Sequence, residues 1–130
     1  VSLVTIDASF ISLRIFLPVF KTWFGAEPGE VVALIKPQFE AGRKETARGD
    51  GVIRDEAVHH KVLTEVLSDA VNEGYAITGL IRSPLLGPKG NTEFLVHLRL
   101  PFAESKPVEE WIAPLFAETT ATTSDFTLPD

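Results

Sequence analysis

Four short runs of apolar residues, separated by segments with helical spacing, are the main pattern along this chain. The runs are rich in β-branched residues and cover residues 1–6, 31–35, 75–81 and 93–100. Apolar runs of this length between turn residues predict β-strands, and the first two are apolar enough for burial on both faces. The chain therefore predicts a sheet of four strands.

Two helices are predicted between these strands. Ser12 is a suitable N-cap for a helix over residues 13–24, in which Pro18 is expected to cause a kink. Asp55 is a suitable N-cap for a second helix, which ends near Gly74. The second helix has one apolar face at helical spacing, formed by Val58, Val62, Leu63, Val66, Leu67, Ala70 and Val71.

The remaining segments are less regular. Residues 36–54 are polar and contain glycine, which predicts a long loop of the kind that often carries function. Residues 107–116 predict a short amphipathic helix limited by Pro114, and residues 119–130 predict a frayed tail. The resulting β-α-β-loop-α-β-β order indicates an α/β fold with parallel strands and right-handed crossovers. The short connection before the last strand predicts an antiparallel pair at the end.

Composition narrows the class of protein. The chain has 130 residues, of which 45% are hydrophobic and 23% charged, as expected for one globular domain. It has no cysteine, which excludes disulfides and thiolate metal sites and fits a reducing compartment; no metal site is predicted. The net charge of −6 argues against a wholly basic RNA-binding surface but allows a local basic patch. Asp7, Arg14 and Lys21 interrupt the apolar N-terminal region, so no membrane span is predicted.

Three ionisable residues mark candidate chemistry, because each lies where an apolar run meets a loop. These are Asp7, Lys36 and Glu93. Sheets of α/β proteins present functional groups at strand ends, so we expect one polar cluster at one rim of the sheet. Taken singly, Asp7 could instead cap the next helix, Lys36 could be solvated, and Glu93 could lie on the surface.

The histidines are weaker candidates. His59 falls on the apolar side of its helix, which favours core packing, and His60 lies at the margin. Neighbouring residues on a helix diverge by about 100°, so these two cannot share a metal ion. His97 lies in a predicted strand, where packing or surface exposure is the expected role.

Four segments together resemble a known family. They are Ile-Asp-Ala-Ser-Phe-Ile-Ser-Leu at 6–13, Lys-Pro-Gln-Phe-Glu at 36–40, Val-Ile-Arg-Asp at 52–55, and a segment from Ser-Pro at 83–84 through Gly-Pro-Lys-Gly-Asn-Thr-Glu-Phe at 87–94. In this order the chain resembles the C-terminal half of the FtsJ-like ribose methyltransferases. It is most similar to the TlyA (hemolysin A) family of S-adenosylmethionine-dependent ribosomal RNA 2′-O-methyltransferases.

The resemblance implies a fold and an organisation. The family has a Rossmann-like methyltransferase sheet with strand order 3-2-1-4-5-7-6, and this chain would supply strands 4-5-7-6, parallel with one antiparallel strand. Residues 1–100 would form the C-terminal half of the methyltransferase domain, and residues 101–130 a C-terminal extension. We therefore expect the chain to be a piece of a longer protein, in which the missing half binds most of the S-adenosylmethionine.

The resemblance also implies roles for the three strand-end residues. Asp7, Lys36 and Glu93 match three members of a Lys-Asp-Lys-Glu tetrad, whose first lysine has no counterpart here. Lys36 would act as general base on a ribose 2′-hydroxyl, Glu93 would orient Lys36, and Asp7 would hold an ammonium group and lie near the cofactor. RNA phosphates would be contacted by Arg43, Lys44, Arg48 and Lys89, although a solvated loop explains the first three equally well.

Two functions remain open at this stage. One is part of a cytoplasmic ribosomal RNA methyltransferase that is inactive as an isolated chain, with ribosomal RNA or a ribosomal subunit as partner. The other is a non-catalytic RNA-binding or structural domain of the same fold. A lytic role is rejected, because a lytic helix needs a cationic face and helix 56–73 carries acids. Self-association through the first strand is also expected, because an exposed edge strand can pair with another chain. Four apolar residues near it are expected to be exposed and to take part, namely Ile15, Phe16, Phe20 and Trp23.

Overall fold

A computed structural model describes residues 2–7, 12–40, 55–86, 90–101, 103 and 106–125. Within these residues one sheet contains four strands, β1 (Leu3–Ile6), β2 (Gly29–Ile35), β3 (Ala76–Arg82) and β4 (Phe94–Leu100). Their order across the sheet is β1-β2-β4-β3, with β1 parallel to β2 and β4 antiparallel to both of its neighbours. The predicted order 4-5-7-6 with one antiparallel strand is confirmed.

The described helices are α1 (Leu13–Phe24), α2 (Pro37–Glu40), α3 (Glu56–Asn72) and α4 (Val108–Asp125). The hydroxyl of Ser12 accepts a hydrogen bond from the Arg14 backbone N–H, and α1 has the predicted bounds. The Asp55 carboxylate accepts a hydrogen bond from the Ala57 N–H at 2.8 Å and caps α3. Both N-caps satisfy a donor that has no partner inside its own helix.

The short helix α2 differs from the predicted loop over residues 36–54. Pro37 is its first residue, where a missing N–H costs nothing and the fixed φ suits a helix. The Glu40 N–H donates to the Lys36 carbonyl at 3.1 Å. The prediction was wrong over Pro37–Glu40, because the loop was predicted from polar and glycine content, whereas Pro37 begins a helix. Residues 41–54 lie outside the described residues.

The C-terminal helix is also longer than predicted. A helix over 107–116 and a frayed tail from residue 119 were expected, but α4 extends to Asp125 with Pro114 inside it. Trp111 and Ile112 before the proline, and Leu115 after it, all pack against the core. These contacts on both sides of Pro114 stabilise the helix through the position where one backbone hydrogen bond is lost.

The long helices cover one face of the sheet. On β2 the residues that face them are Val31, Ala33 and Ile35, and all three are buried. α1 contributes four buried residues to the same core, namely Leu13, Leu17, Phe20 and Phe24. Phe20 was predicted to be exposed, and this was wrong because it lies on the core side of α1; Ile15 and Trp23 are exposed as predicted.

Tyr75 fixes α1 to the start of β3. Its side chain is fully buried, and its hydroxyl donates to the Leu17 carbonyl at 2.5 Å. Burial, together with the negative charge of Glu73, raises the pKa of Tyr75 to about 12. The phenol therefore stays neutral and keeps its donor role throughout the physiological range.

The opposite face of the sheet is partly exposed in the part of the chain that the structure describes. Leu3 and Ile81, which point to this face, are each 53% exposed. A shallow groove of about 270 Å³ lies there, lined by Val32, Gly79, Leu80, Ile81, Leu95, Val96 and His97. β1 is an edge strand, so self-association through it stays a prediction. None of the described helices is both long and apolar enough to cross a bilayer.

Candidate active site

The sheet topology brings the three predicted residues to one rim. Asp7 follows β1 and Lys36 follows β2, and the carboxyl ends of two parallel strands lie at the same edge of a sheet. Glu93 precedes β4, which runs antiparallel to β2 with Phe94 opposite Ile35. Continuing that register by one position places Glu93 across from Lys36. An aspartate, a lysine and a glutamate thus come from three different strands to one place.

Lys36 and Asp7 form an ion pair at this rim. The Lys36 ammonium Nζ contacts the Asp7 carboxylate oxygen Oδ1. The two side chains differ in exposure, because 9% of the Lys36 side chain is accessible against 60% of the Asp7 side chain. Lys36 is therefore the buried member of the pair, held at a fixed position, while Asp7 remains accessible from solvent.

Glu93 is held by a residue to which the sequence assigned no role. The side-chain amide nitrogen Nε2 of Gln38 donates to Glu93 Oε2 at 3.2 Å, and both residues are only 6% exposed. Pro37 starts α2 immediately after Lys36, and this turn directs Gln38 to Glu93. A buried polar group without a hydrogen-bond partner is costly, so the hydrogen bond from Gln38 stabilises the Glu93 side chain at the rim.

Glu40, the last residue of the same motif, has a structural partner. Its carboxylate oxygens accept hydrogen bonds from the Ser12 hydroxyl and the Leu13 backbone N–H, both at 2.6 Å. A carboxylate at a helix N-terminus satisfies a free N–H and interacts favourably with the helix dipole. Glu40 therefore fixes the start of α1 relative to the strand that carries Lys36.

The structure places the predicted site residues in two groups. Asp7, Lys36 and Glu93 lie at the common rim within the described residues. The four predicted RNA contacts lie outside the described residues, namely Arg43, Lys44, Arg48 and Lys89. Gln38 was missed, because no local feature of the sequence shows that it meets Glu93, which is 55 positions away.

The histidines have partners of their own. His59 is buried, as predicted, and its ring packs edge-on against the Phe94 ring with 5.8 Å between the two ring centres. His60 Nε2 lies 3.0 Å from an oxygen of Glu109 on α4. His97 lies on the partly exposed sheet face, between Glu30 and Thr78. Among the described residues, no three acidic or histidine side chains are grouped as a metal site would require.

The bond between Gln38 and Glu93 leads to a stability prediction. Replacing Gln38 with Leu removes a donor from a buried carboxylate, so we expect Gln38→Leu to lower the free energy of unfolding by about 1–3 kcal/mol. Adding Glu93→Leu removes the charge that was left without its donor. The double variant should therefore be more stable than Gln38→Leu alone, as measured by urea unfolding followed by circular dichroism. Additive losses in the two single variants would contradict a direct interaction.

Comparison with known proteins matches this chain to one family. The model of the FtsJ-like methyltransferase family matches residues 1–100. YqxC of Bacillus subtilis, provisionally named an rRNA methyltransferase, is 50% identical over 98 residues, which are 75% of this chain and 34% of that protein. The 16S/23S rRNA (cytidine-2′-O)-methyltransferase TlyA of Mycobacterium tuberculosis is 37% identical over 99 residues, which are 76% of this chain and 36% of that enzyme.

The chain also matches proteins of known structure. A Streptococcus thermophilus protein, provisionally named a hemolysin, matches with a TM-score of 0.76 and 39% identity, covering 95% of this chain and 45% of that chain. A protein of the same provisional name from Lactococcus lactis matches with a TM-score of 0.72 and 42% identity, covering 91% of this chain and 56% of that chain. The chain spans about a third of the length of the curated relatives it matches.

Proposed function

Since the chain belongs to the FtsJ-like methyltransferase family, we propose that it forms the catalytic rim of an enzyme that methylates the ribose 2′-hydroxyl of ribosomal RNA. The observation that carries this proposal is the buried Lys36 paired with Asp7, beside a Glu93 held by Gln38. A buried amine fixed at a sheet rim is suited to remove a proton from a hydroxyl during group transfer. The relative TlyA of Mycobacterium tuberculosis is named for such a 2′-O activity.

In this proposal Lys36 is the general base. A 2′-hydroxyl is a poor nucleophile, so its proton must be removed or shared as the new bond forms. The ammonium that pairs with Asp7 would first release a proton to solvent. Lys36 Nζ would then accept the hydroxyl proton, and Asp7 would hold the ammonium that forms again. Because the side chain is 91% buried, Lys36 samples few other positions, and this limits the entropy lost in orienting it.

Glu93 would provide the second fixed carboxylate of the rim. Gln38 keeps its oxygen Oε2 occupied, which leaves the carboxylate in one orientation. Such an oriented carboxylate can accept a hydrogen bond from the ammonium of Lys36 or from the ribose hydroxyl. The geometry thus supports positioning by Glu93 and proton transfer by Lys36.

The cofactor in this proposal is S-adenosylmethionine, whose sulfonium supplies the methyl group. Asp7 is the described residue that fits a contact with it. Its carboxylate is 60% exposed although it pairs with Lys36, so it can still accept a hydrogen bond from a bound molecule. The rest of the cofactor site would come from the part of the relatives' length that this chain does not span. We therefore propose that the isolated chain is inactive.

RNA binding and location complete the proposal. Arg43, Lys44, Arg48 and Lys89 would contact RNA phosphates beside the rim, and the substrate would be ribosomal RNA or a ribosomal subunit. The protein would act in the cytoplasm, where ribosomal RNA is present. This location is supported by the names of the relatives.

The proposal is tested with a chimeric protein that joins this chain to part of a relative. In a chimera, YqxC from its aligned segment onward is replaced by this chain, which is 50% identical there. We expect the chimera to transfer tritiated methyl groups from S-adenosylmethionine to ribosomal subunits, with 2′-O-methylated nucleosides after digestion. The isolated 130-residue chain should transfer none, and isothermal titration should detect no micromolar binding of S-adenosylmethionine.

The controls separate the alternatives. Unmodified YqxC serves as the positive control for the assay. A folded chimera that binds ribosomal RNA but transfers no methyl group would favour the non-catalytic RNA-binding domain. Micromolar binding of S-adenosylmethionine by the isolated chain would show that the cofactor site is contained in this chain.

A further inference from the structure

Arg82 lies between two aromatic rings from different parts of the fold. It is the last residue of β3, and its guanidinium carbon is 5.4 Å from the centre of the Phe94 ring and 5.5 Å from the centre of the Phe116 ring. Its Nη2 also donates to the Leu115 carbonyl at 3.4 Å. We propose that Arg82 is a positioning residue that couples α4 to the strand carrying Glu93.

The first half of this coupling runs from Arg82 to Glu93. Phe94 is fully buried, follows Glu93 directly and pairs with Arg82 across β3 and β4. Ser83, the residue that follows β3, donates its backbone N–H to the Glu93 carbonyl at 2.8 Å. The carbonyl of Glu93 and the residue that follows it are thus attached to the Arg82–Ser83 segment.

The second half runs from Arg82 to α4. Phe116 and Leu115 belong to α4, which lies beyond the residues that the family model matches. His60 of α3 supports the same helix, through Glu109 at 3.0 Å and with its ring 5.9 Å from that of Phe116. A cation between two rings is attracted to both, and the attraction strengthens as the cation is desolvated.

A consequence follows for the rim. If α4 separates from the sheet, Arg82 loses one of its two rings and its carbonyl acceptor, and Phe94 loses the cation that covers it. The segment carrying Glu93 then opens more often, and Glu93 spends less time beside Gln38. A helix outside the family match would in this way control a catalytic rim, an inference whose link to activity rests on the proposed function.

The first test needs no activity and uses the 130-residue chain itself. Hydrogen exchange of the Ser83 amide is measured by NMR in the wild type, Arg82→Met and Arg82→Lys. We expect Arg82→Met to speed this exchange roughly tenfold through local opening, with amides in the β1–β2 pair unchanged, and Arg82→Lys to restore part of the protection. Phe116→Leu should produce the same local change from the α4 side.

The matched control is Arg99→Met, since Arg99 is exposed near the far end of β4. Unchanged Ser83 exchange in Arg82→Met would overturn the proposal. Equal effects of Arg82→Met and Arg99→Met, or an increase spread over β1 and β2, would also overturn it by showing a general loss of stability.

The second test uses the chimera with YqxC. Arg82→Met should lower kcat about tenfold with KM for ribosomal subunits unchanged, and Arg82→Lys should recover part of kcat. A wild-type chimera without activity would count against the proposed function, while the exchange experiment would still decide the coupling. Normal kcat in an Arg82→Met chimera with faster Ser83 exchange would overturn the link from α4 to catalysis.

Discussion

Replacing Lys36 with Met should abolish methyl transfer while leaving the fold intact. Met has a similar length and fills the buried space that the Lys36 side chain occupies, but it cannot accept or carry a proton. Loss of a general base commonly costs 10²–10⁴ in rate, so we expect a fall in kcat of about that size. The measurement is tritiated methyl transfer by the chimera, with circular dichroism and urea unfolding as checks of the fold.

Lys21→Met is the matched control for this experiment. Lys21 also forms an ion pair, 3.2 Å from Glu73, and it donates to the Glu73 carbonyl, but it lies on α1 rather than at a strand end. Lys21→Met removes one ammonium group, as Lys36→Met does, but it should leave methyl transfer unchanged. Lys36→Arg adds a second comparison, because it keeps the positive charge but supplies no usable base. Full activity in Lys36→Arg would assign Lys36 an electrostatic role instead of proton transfer.

Replacing Gly29 with Ala should be among the most destabilising single changes in this chain. A Cβ at position 29 would lie only 2.3 Å from Cδ1 of the Phe24 ring, and Phe24 is buried in the core. Such overpacking typically costs about 1–3 kcal/mol, because neither the ring nor the strand can move freely. At roughly 4 °C per kcal/mol, the midpoint temperature of thermal unfolding should fall by about 4–12 °C, measured by calorimetry or circular dichroism.

The chain offers a second glycine on the same sheet as a control. A Cβ at Gly79 would meet its nearest neighbour, Cβ of His97, at an ordinary 3.5 Å. Gly79→Ala should therefore change stability by no more than about 1 kcal/mol. Shortening Phe24 to Leu should recover part of the loss in Gly29→Ala. If Gly29→Ala and Gly79→Ala behave alike, the contact between Gly29 and Phe24 does not limit packing.

The elements that the sequence predicted well are those decided by local chemistry. Ser12 and Gly25 bound α1 because one supplies a cap and the other adopts a positive φ of 64°. Asp55 begins α3 for the same local reason. The strand order β1-β2-β4-β3 was predicted from the family resemblance, since apolar runs alone do not determine which strands become neighbours.

The misses share a different cause, because each depends on contacts between distant residues. Gln38 and Glu93 are 55 positions apart in sequence, so nothing near Gln38 shows that it will meet a buried carboxylate. Phe20 was assigned to the surface because part of the surrounding fold was expected to be missing, whereas contacts within this chain bury it. The continuation of α4 past Pro114 likewise depends on core contacts on both sides of the proline.

The hydrogen bonds from Glu40 to Ser12 and Leu13 bear on how related sequences should be interpreted. Within Lys-Pro-Gln-Phe-Glu, Lys36 is the proposed base, whereas Glu40 maintains the architecture by anchoring α1. Selection on these two residues can therefore separate. A homologue that has lost methylation and serves only as a scaffold would be free to change Lys36, yet it would still need Glu40. Comparing how often Lys36 and Glu40 are substituted across many genomes would distinguish homologues that still methylate from those that have lost the activity. A match to the whole motif would not make this distinction.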